Sequence, residues 1–351
     1  MKRLLGSLLI ICLAAGLLLY SDRDNQIQLS ENKSELASRQ SGPNQINQKM
    51  NPQPNIWIID NVVSANTEAS ERGILDGLNQ KGLVKGKNCE ITIRNAQGDV
   101  STLNTIVDAA IADSPDLVFV INTTTLQTAL RKFNQDIPIV FTSIADPVEA
   151  GAGKSFTNHA PNVTGFSSMS DFNGMMDFIK KAVPSTVKIG TLFVPGETNS
   201  VIYKEQLIKA AKGHGLQAEA VPVNSSSEIA NAAQLLCSQK IDVICQISDN
   251  LTGASMASII QIAQKEKIPL FTFISEHPRQ GAVAALARDY YQGGKDAAGF
   301  GVRILHGESP AVIPFRTITQ TTIVINPKAA RECGLKLSSQ VLKMADQIVG
   351  E

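Results

Sequence analysis

The stretch that decides the fold is "PDLVFVINTTTLQTALRKFNQDIPIVFTSIADP", residues 115–147. Two apolar runs, "DLVFVI" and "IPIVFT", flank the amphipathic segment "TTLQTALRKFNQD". Unbroken runs of Val, Ile and Phe are typical of strands that are buried on both faces of a sheet. The stretch therefore predicts a strand, a helix and a second strand parallel to the first.

The same alternation continues in both directions along the chain. Upstream, "NIWIID" and "CEITIRNA" predict strands, and an amphipathic helix follows each of them. The pattern restarts after Gly165, where four more helices alternate with strands at "VKIGTLFV", "LQAEAVPV", "IDVICQI" and "IPLFTF". Two successive halves of this kind predict an α/β chain with two wound parallel sheets.

Charge and composition exclude some classes of partner. The 351 residues include 32 Lys or Arg and 32 Asp or Glu, so no net field favours nucleic acid or an anionic membrane surface. With 43% apolar residues, the chain can bury two cores of ordinary domain size. A partner must then be recognised by a defined site rather than by bulk charge.

The N-terminus predicts export. Lys2 and Arg3 precede residues 4–20, seventeen uncharged and mostly apolar positions. Because this length is the lower limit for a membrane span, residues 1–20 are either a cleaved signal peptide or an uncleaved anchor. Lipid attachment at Cys12 is a weaker alternative, since the bulky Ile11 precedes it. Residues 21–54, rich in Asn, Gln, Ser and Pro, predict a disordered tether, which places the folded part in the periplasm or cell envelope.

Small polar residues follow most of the predicted strands. They form six groups, at residues 122–125, 143–147, 167–171, 196–200, 248–250 and 275–276. Helix capping explains any single group. Ligands of parallel sheets, however, bind beyond the carboxyl ends of the strands. Six such groups on the edges of two sheets predict a ligand cleft.

Cysteine and histidine residues show no metal-binding pattern. Four cysteines beyond Cys12 form no Cys-x-x-Cys pair and have no metal spacing with the four histidines; they are Cys89, Cys237, Cys245 and Cys333. A disulfide between Cys237 and Cys245 and a pair of buried free thiols both remain open. His277 is the histidine nearest the predicted cleft, and we expect it to be a solvated loop residue. We predict neither a metal nor another cofactor.

Three enzyme motifs are incomplete. "GAGKS", residues 151–155, lacks the first glycine of a phosphate-binding loop, since Val148 stands there, and "FTNHAPN" after it cannot begin a helix. No glycine follows the first strand, as a dinucleotide fingerprint would require. "GASMA", residues 253–257, mimics a nucleophile elbow but is better explained as a helix start. We therefore predict a protein that is not an enzyme.

Several runs together resemble one known family. They are "IADPVEAGAGKSF", "NVTGFSS", "GILDGLNQKGLVKGKNCEITIRNAQGD", "ETNS", "SDN", "IPLFTFISE", "QGAVAALARDYYQGGKDAAGFGVRILHGESPAVIPF" and "VINPKAARECGLKL". Over residues 55–345, the chain resembles the tryptophan/tyrosine family of ABC-transporter substrate-binding proteins, which have the type I periplasmic-binding fold. The resemblance implies two Rossmann-like lobes with parallel sheets, joined by three crossovers.

The resemblance also implies lobe boundaries. Lobe one is expected at residues 55–168 plus 286–314, and lobe two at residues 169–285 plus 315–351. The chain would cross between the lobes near Ser168, Leu286 and Pro314. Three crossovers make a stiff hinge, and a ligand closes it by bridging both lobes.

Carried over position by position, the resemblance implies eleven cleft residues. They are Thr123, Thr124, Ser143, Asp146, Ser167, Asn199, Ser200, Ser248, Asp249, Asn250 and Asp289. For an amino-acid ligand, hydroxyl and backbone N–H groups at helix starts would hold the carboxylate, supplied by Thr123, Thr124, Asn199 and Ser200. Asp249 is the predicted partner of the ammonium. The sequence departs from the family at residues 62–65 and 273–282, which shape the side-chain pocket, so the family's cargo does not follow.

The predicted function is an exported substrate-binding protein that delivers a small molecule, an amino acid or related amine, to an ABC importer. The expected partners are this ligand and an ABC permease, and we expect a monomer that binds no nucleic acid. One alternative is a ligand-sensing module for a membrane receptor. A weaker one is a hydrolase or racemase that uses Asp146 and Asp249.

Overall fold

Two sheets organise the computed structural model, which describes residue 51 and residues 53–350. The predicted signal peptide or anchor and nearly all of the predicted tether lie outside these residues. Of the helices that the structure describes, none combines the length and the apolar character needed to cross a membrane.

The first sheet has six strands in the spatial order β11-β5-β4-β3-β1-β2. They are β1 (Asn55–Asp60), β2 (Glu90–Asn95), β3 (Leu117–Ile121), β4 (Ile139–Ile144), β5 (Val163–Ser167) and β11 (Arg316–Thr317). Every neighbouring pair is parallel. Strands β3 and β4 are buried along their whole length, as their unbroken apolar runs predicted.

The second sheet has seven strands in the order β13-β12-β10-β9-β8-β6-β7. They are β6 (Lys188–Phe193), β7 (Gln217–Pro222), β8 (Val243–Gln246), β9 (Leu270–Thr272), β10 (Ala284–Arg288), β12 (Thr321–Ile325) and β13 (Gln347–Ile348). Strand β12 is antiparallel to β10, and the other pairs are parallel. The second sheet is therefore mixed rather than wholly parallel.

Helices cover both faces of each sheet. They are α1 (Ala65–Gln80), α2 (Val100–Asp113), α3 (Thr123–Lys132), α4 (Phe172–Ala182), α5 (Thr198–Gly213), α6 (Ile229–Ser238), α7 (Asn250–Ala254), α8 (Met256–Glu266), α9 (His277–Gln280), α10 (Tyr290–Leu305), α11 (Pro327–Glu332) and α12 (Ser339–Leu342). Helices α1 and α10 pack on one face of the first sheet, and α2 and α3 on the other. Helices α4 and α5 pack on one face of the second sheet, and α6 and α8 on the other. We call the first sheet with its helices the first unit, and the second sheet with its helices the second unit.

The chain passes three times between the two units. It leaves the first sheet after Ser167, returns after Arg288 into α10, and leaves again after Thr317. The sequence placed the last two crossings near Leu286 and Pro314, but β10 still pairs at Arg288 and β11 at Thr317.

The "GAGKS" loop and the pair Cys237 and Cys245 can each be compared with the sequence predictions. Residues 151–162 form a loop with an antiparallel bridge between Gly153 and His159, and the next element is β5. A phosphate-binding loop would need a helix at this place. Cys237 and Cys245 are both buried and both free, so the free-thiol alternative holds.

Helices α1 and α10 approach each other so closely that glycine is needed at the contact. A Cβ atom on Gly294 would overlap the Ser70 carbonyl oxygen. A Cβ atom on Gly299, in the same helix, would meet only the Lys81 Cε atom at 3.6 Å. The two glycines therefore form a matched pair for a stability measurement.

We expect Gly294→Ala to lower the free energy of unfolding by about 1 to 3 kcal/mol because the helices must separate. Gly299→Ala should raise it by about 0.5 to 1 kcal/mol, since alanine is the better helix former and meets no obstacle. Equilibrium urea unfolding of both variants measures the difference. Equal effects at the two positions would contradict the close helix contact.

Candidate functional site

The carboxyl ends of the strands meet between the two units, and the predicted site residues lie there. Thr123 and Thr124 begin α3 after β3, and Asn199 and Ser200 lie in the first turn of α5 after β6. Ser248, Asp249 and Asn250 follow β8, while Asp289 lies between β10 and α10. Ser143 lies in β4, Asp146 just after it, and Ser167 ends β5. The two units thus turn the ends of their strands towards a common seam.

Two pairs of residues form side-chain hydrogen bonds between the units across this seam. The Gln127 side-chain amide in α3 donates to the Thr198 hydroxyl in α5 at 3.1 Å. The Asn250 amide donates to the Thr124 hydroxyl at 3.5 Å, which is the long limit for such a bond. Both bonds link a helix start in one unit to a helix in the other. Side chains of the two units are therefore in direct contact at this seam.

Asp249, the predicted partner of a ligand ammonium, accepts hydrogen bonds from its own unit. One oxygen accepts from the Thr252 backbone N–H at 2.8 Å and from the Thr252 hydroxyl at 2.5 Å. The other accepts from the Ser200 hydroxyl at 2.6 Å. Burial raises the pKa of Asp249, and these donors oppose the rise. Both oxygens therefore accept hydrogen bonds inside the second unit, and Asp249 caps α7.

Several other predicted site residues are also engaged by their own unit. The Ser200 hydroxyl accepts from the Val194 N–H at 2.8 Å, so it cannot offer its proton to a ligand carboxylate while it donates to Asp249. Asp146 accepts from the Val148 N–H, and Asp289 accepts from the Gln292 N–H, each at 2.8 Å. These side chains hold the loops that shape the cleft.

The hydroxyls on the first unit lie in the same network. Ser167 donates to the Ala145 carbonyl at 2.8 Å. Ser143, in the left-handed region with φ 59°, lies 2.7 Å from the Ser70 hydroxyl. Thr123 accepts a long hydrogen bond of 3.4 Å from the Ala145 N–H. Of the predicted first-unit residues, Thr124 is the one that contacts the second unit through a side-chain hydrogen bond in the described chain.

Three buried polar atoms near the seam have no hydrogen-bond partner in the structure. They are Asn61 Oδ1 after β1, Asn199 Oδ1 in α5 and Ser248 Oγ after β8. The three residues are only 5%, 6% and 8% exposed. Most buried polar side-chain atoms in proteins are hydrogen-bonded, so each of these three atoms is free to bond with a polar group that enters the seam.

Glu197 is a cleft residue that the sequence reasoning missed. Its carboxylate accepts from the backbone N–H groups of Asn250 at 2.9 Å and Leu251 at 3.2 Å, and from the Asn199 amide at 3.4 Å. Burial and the nearby Asp249 charge raise the pKa of Glu197. Glu197 belongs to the polar group "GETNS" at residues 196–200. It is the charged residue of that group, and this charge is the sequence feature that could have identified it.

Asp60 and Tyr290 were also missed. Asp60 ends β1 and accepts from the Asn61 N–H at 2.7 Å and from the side-chain amide of Asn122, which links the ends of β1 and β3. Burial raises the pKa of Asp60 to about 7. Tyr290 is 5% exposed; burial raises its pKa, and the neighbouring Ser248 and Ser168 side chains oppose that rise. In the sequence, Asp60 stands out because it is the one acidic residue of the apolar run "NIWIID" and lies at the end of that run.

His277 is not the solvated loop residue that the sequence predicted. It is 3% exposed, and its Nδ1 atom lies 3.2 Å from the Thr272 hydroxyl. Burial lowers its pKa to about 4, so the ring is neutral at neutral pH. The loop after β9 folds into the short helix α9, which turns His277 inward.

Two cavities differ in their relation to the seam. One of about 190 Å³ lies between the units and is lined by residues that include Ala69, Ser275, Asp289 and Tyr290. A larger one of about 530 Å³ lies among α1, α10, β5 and β11, with Lys81 and Arg316 on its walls. Every residue of the larger cavity belongs to the first unit, so it cannot be the place where the two units close on a ligand.

Comparison with known proteins gives a consistent result. The family model described as ABC transporter substrate binding protein matches residues 55–349. A tyrosine-binding protein of Clostridioides difficile (strain R20291) is 32% identical over 292 residues, which cover 83% of this chain and 84% of that protein.

Two solved structures have the same fold. A domain from Streptococcus pneumonia in complex with L-Trp is 28% identical, with a TM-score of 0.81. A ligand-free, open substrate-binding protein with adhesive properties from Clostridium difficile is also 28% identical, with a TM-score of 0.66. Each comparison covers 85% of this chain and 100% of the other. At equal identity, the structure is thus more similar to the ligand-bound protein than to the open one.

These findings confirm the predicted fold and the predicted family. The chain has two α/β units with mainly parallel sheets in the type I periplasmic-binding arrangement. The family match covers most of the chain, and the relative at 32% identity covers a similar part. The chain belongs to the family of ABC transporter substrate-binding proteins.

Proposed function

We propose that this protein is the extracytoplasmic binding protein of an ABC importer, and that it binds an amino acid or a related amine in the cleft between its two units. Family membership supports the transport role. The name of the tyrosine-binding relative and the L-Trp complex of the structural neighbour support an amino-acid ligand.

One observation carries this proposal. Polar atoms of Asn61, Asn199 and Ser248, which follow or lie near strand ends, are buried without a partner. An unsatisfied buried polar group costs about 1 to 3 kcal/mol, so a closed cleft with several of them is stabilised when a polar ligand supplies the missing hydrogen bonds. A small ligand with both donors and acceptors fits this need.

The positions of residues at helix N-termini suggest which of them contact the ligand. In this proposal Thr124, Asn199, Ser248 and Asn250 face the ligand, and backbone N–H groups at the start of α3 attract its carboxylate. The remaining predicted residues support the cleft walls; they are Thr123, Ser143, Asp146, Ser167, Ser200, Asp249 and Asp289. The two units act as the two lobes that close on the ligand.

Location and partners complete the proposal. Residues 1–20 export the chain as a signal peptide or hold it as an anchor, and residues 21–54 tether the folded part. A monomer would then deliver the ligand to an ABC permease in the membrane. A sensor for a membrane receptor would need the same cleft. The enzyme alternative loses support because Asp146 accepts from the backbone of its own turn and Asp249 caps α7.

Isothermal titration calorimetry with a panel of amino acids and small amines tests this function. We expect one-to-one binding of at least one panel member, and mass spectrometry should recover that ligand unchanged. At one hundred times its dissociation constant, the ligand should raise the free energy of unfolding by about 2.7 kcal/mol. No heat from any member, or conversion of the ligand into a product, would contradict the proposal.

A further inference from the structure

Glu197 presents an acceptor that the protein leaves partly unused. A carboxylate has about four lone-pair sites. The N–H groups of Asn250 and Leu251 and the Asn199 amide occupy three of them. One acceptor site therefore remains available at the N-terminus of α5.

The Asn199 side chain has a defined orientation. Its Nδ2 atom donates to the Glu197 carboxylate at 3.4 Å, and a flipped amide would put an oxygen against that carboxylate instead. Asn199 Oδ1 is consequently the atom that Glu197 does not engage, and it is buried and without a partner. Glu197 and Asn199 thus offer two neighbouring acceptors, which suit a donor and not a carboxylate.

No positively charged side chain in the described part of the chain pairs with the Glu197 carboxylate. Among the described residues, no Lys, Arg or His nitrogen lies within ion-pair distance of its carboxylate. The charged group that acts on it is Asp249, which is also negative. Glu197 is half-buried, and a carboxylate in such a position that lacks a cation is costly, so a positive ligand group would relieve that cost.

Glu197 also lies at the junction of the two units. The next residue, Thr198, accepts the hydrogen bond from Gln127 of the first unit. Asn250, whose N–H donates to Glu197, donates its side-chain amide to Thr124 of the first unit. A group bound at Glu197 would therefore lie beside the contacts that close the cleft.

We propose that Glu197 and Asn199 Oδ1 form the cation-binding end of the cleft and take the ammonium group of an amino acid or amine. This inference rests on the proposed function and replaces the ammonium role that the sequence assigned to Asp249. The ligand class is accordingly a molecule with a protonated nitrogen; a simple carboxylic acid would lack the necessary group.

Three related ligands test this assignment by calorimetry on the full chain. They are L-tyrosine, tyramine, which lacks the carboxylate, and 3-(4-hydroxyphenyl)propionate, which lacks the ammonium. We expect the propionate to bind the wild type roughly thirtyfold or more weakly than L-tyrosine, because truncating a buried charge pair has at least this effect. Tyramine keeps the ammonium group, so its affinity should still include the contact with Glu197.

The variant Glu197→Gln should weaken L-tyrosine binding by roughly thirtyfold or more and leave the affinity for the propionate unchanged. Glu205→Gln is the matched control, since Glu205 lies on the same helix with a side chain that is 65% exposed. It should leave all three affinities unchanged. Thermal melting of each variant checks that the fold is intact.

Proton release is a second readout. A bound cation favours the ionised form of Glu197, whose pKa is raised in the ligand-free protein. Binding of L-tyrosine near neutral pH should then release protons, seen as a binding heat that depends on the ionisation enthalpy of the buffer. The dependence should be smaller in Glu197→Gln.

Because L-tyrosine and the propionate are compared on the wild type, this test does not depend on the folding of any variant. Equal affinities for L-tyrosine and the propionate would overturn the inference and leave the proposed function intact, as would a folded Glu197→Gln variant that binds L-tyrosine like the wild type. Failure of the wild type to bind any amino acid would instead contradict the proposed function, and this inference with it.

Discussion

Asp249→Ala should lower the free energy of unfolding by about 3 kcal/mol or more, because it removes the acceptor from three buried donors. These are the N–H and hydroxyl of Thr252 and the hydroxyl of Ser200. The Thr252 N–H bond is also the cap of α7, so the capping contribution of about 1 kcal/mol is already part of this loss. Urea unfolding of the ligand-free chain measures the loss.

Asp249→Asn separates the structural role from a ligand role. Asparagine still accepts from the Thr252 N–H and caps about as well as aspartate. We therefore expect a much smaller loss of stability and an L-tyrosine affinity within about tenfold of the wild type, a difference of at most about 1.4 kcal/mol. A loss of affinity as large as that of Glu197→Gln would restore the ammonium role that the sequence assigned to Asp249.

Acidification should destabilise the protein strongly through His277. Burial lowers the pKa of His277 to about 4, whereas an unfolded histidine has a pKa of 6.5. The unfolded state therefore binds the proton first as the pH falls. The stability contributed by the neutral buried ring is fully present above pH 6.5 and is lost as the pH falls towards 4. At 1.36 kcal/mol for each pKa unit, the loss is about 3 kcal/mol.

Asp60 acts in the opposite direction over much of the same range. Its pKa is raised to about 7, so the folded state binds that proton more tightly than the unfolded state does. The comparison must therefore be between the wild type and His277→Gln, which has no titrating ring. From pH 7 to pH 4, the wild type should lose about 3 kcal/mol relative to this variant. Parallel stability curves would show that His277 is not buried as a neutral ring.

The regular elements were predictable because their signals are local. Apolar runs such as "DLVFVI" and "IPIVFT" form buried strands, and the amphipathic segments between them form helices. Strand β10 has the sequence "AALAR", and alanine has low strand propensity, so a local pattern did not predict it. Strands β11 and β13 have only two residues each, and pairing with a distant strand defines them.

The chemical role of each site residue was less predictable. The sequence located the strand ends of the cleft, but both Glu197 and Asp249 stand at helix starts, and only the three-dimensional partners distinguish them. Ser200 engages Asp249, although 49 positions separate the two along the chain. His277 was similarly misjudged, because its burial depends on how the loop after β9 folds back.

Hydrogen–deuterium exchange with and without a bound amino acid tests the central claim most directly. If the ligand lies between the two units, its binding should protect the helix starts of both, at residues 122–126 of the first unit and 197–201 and 249–253 of the second. Protection on both sides of the seam at the same ligand concentration is the predicted result. Protection confined to one unit, or found only around Lys81 and Arg316 at the outer cavity, would contradict a cleft that closes on its ligand.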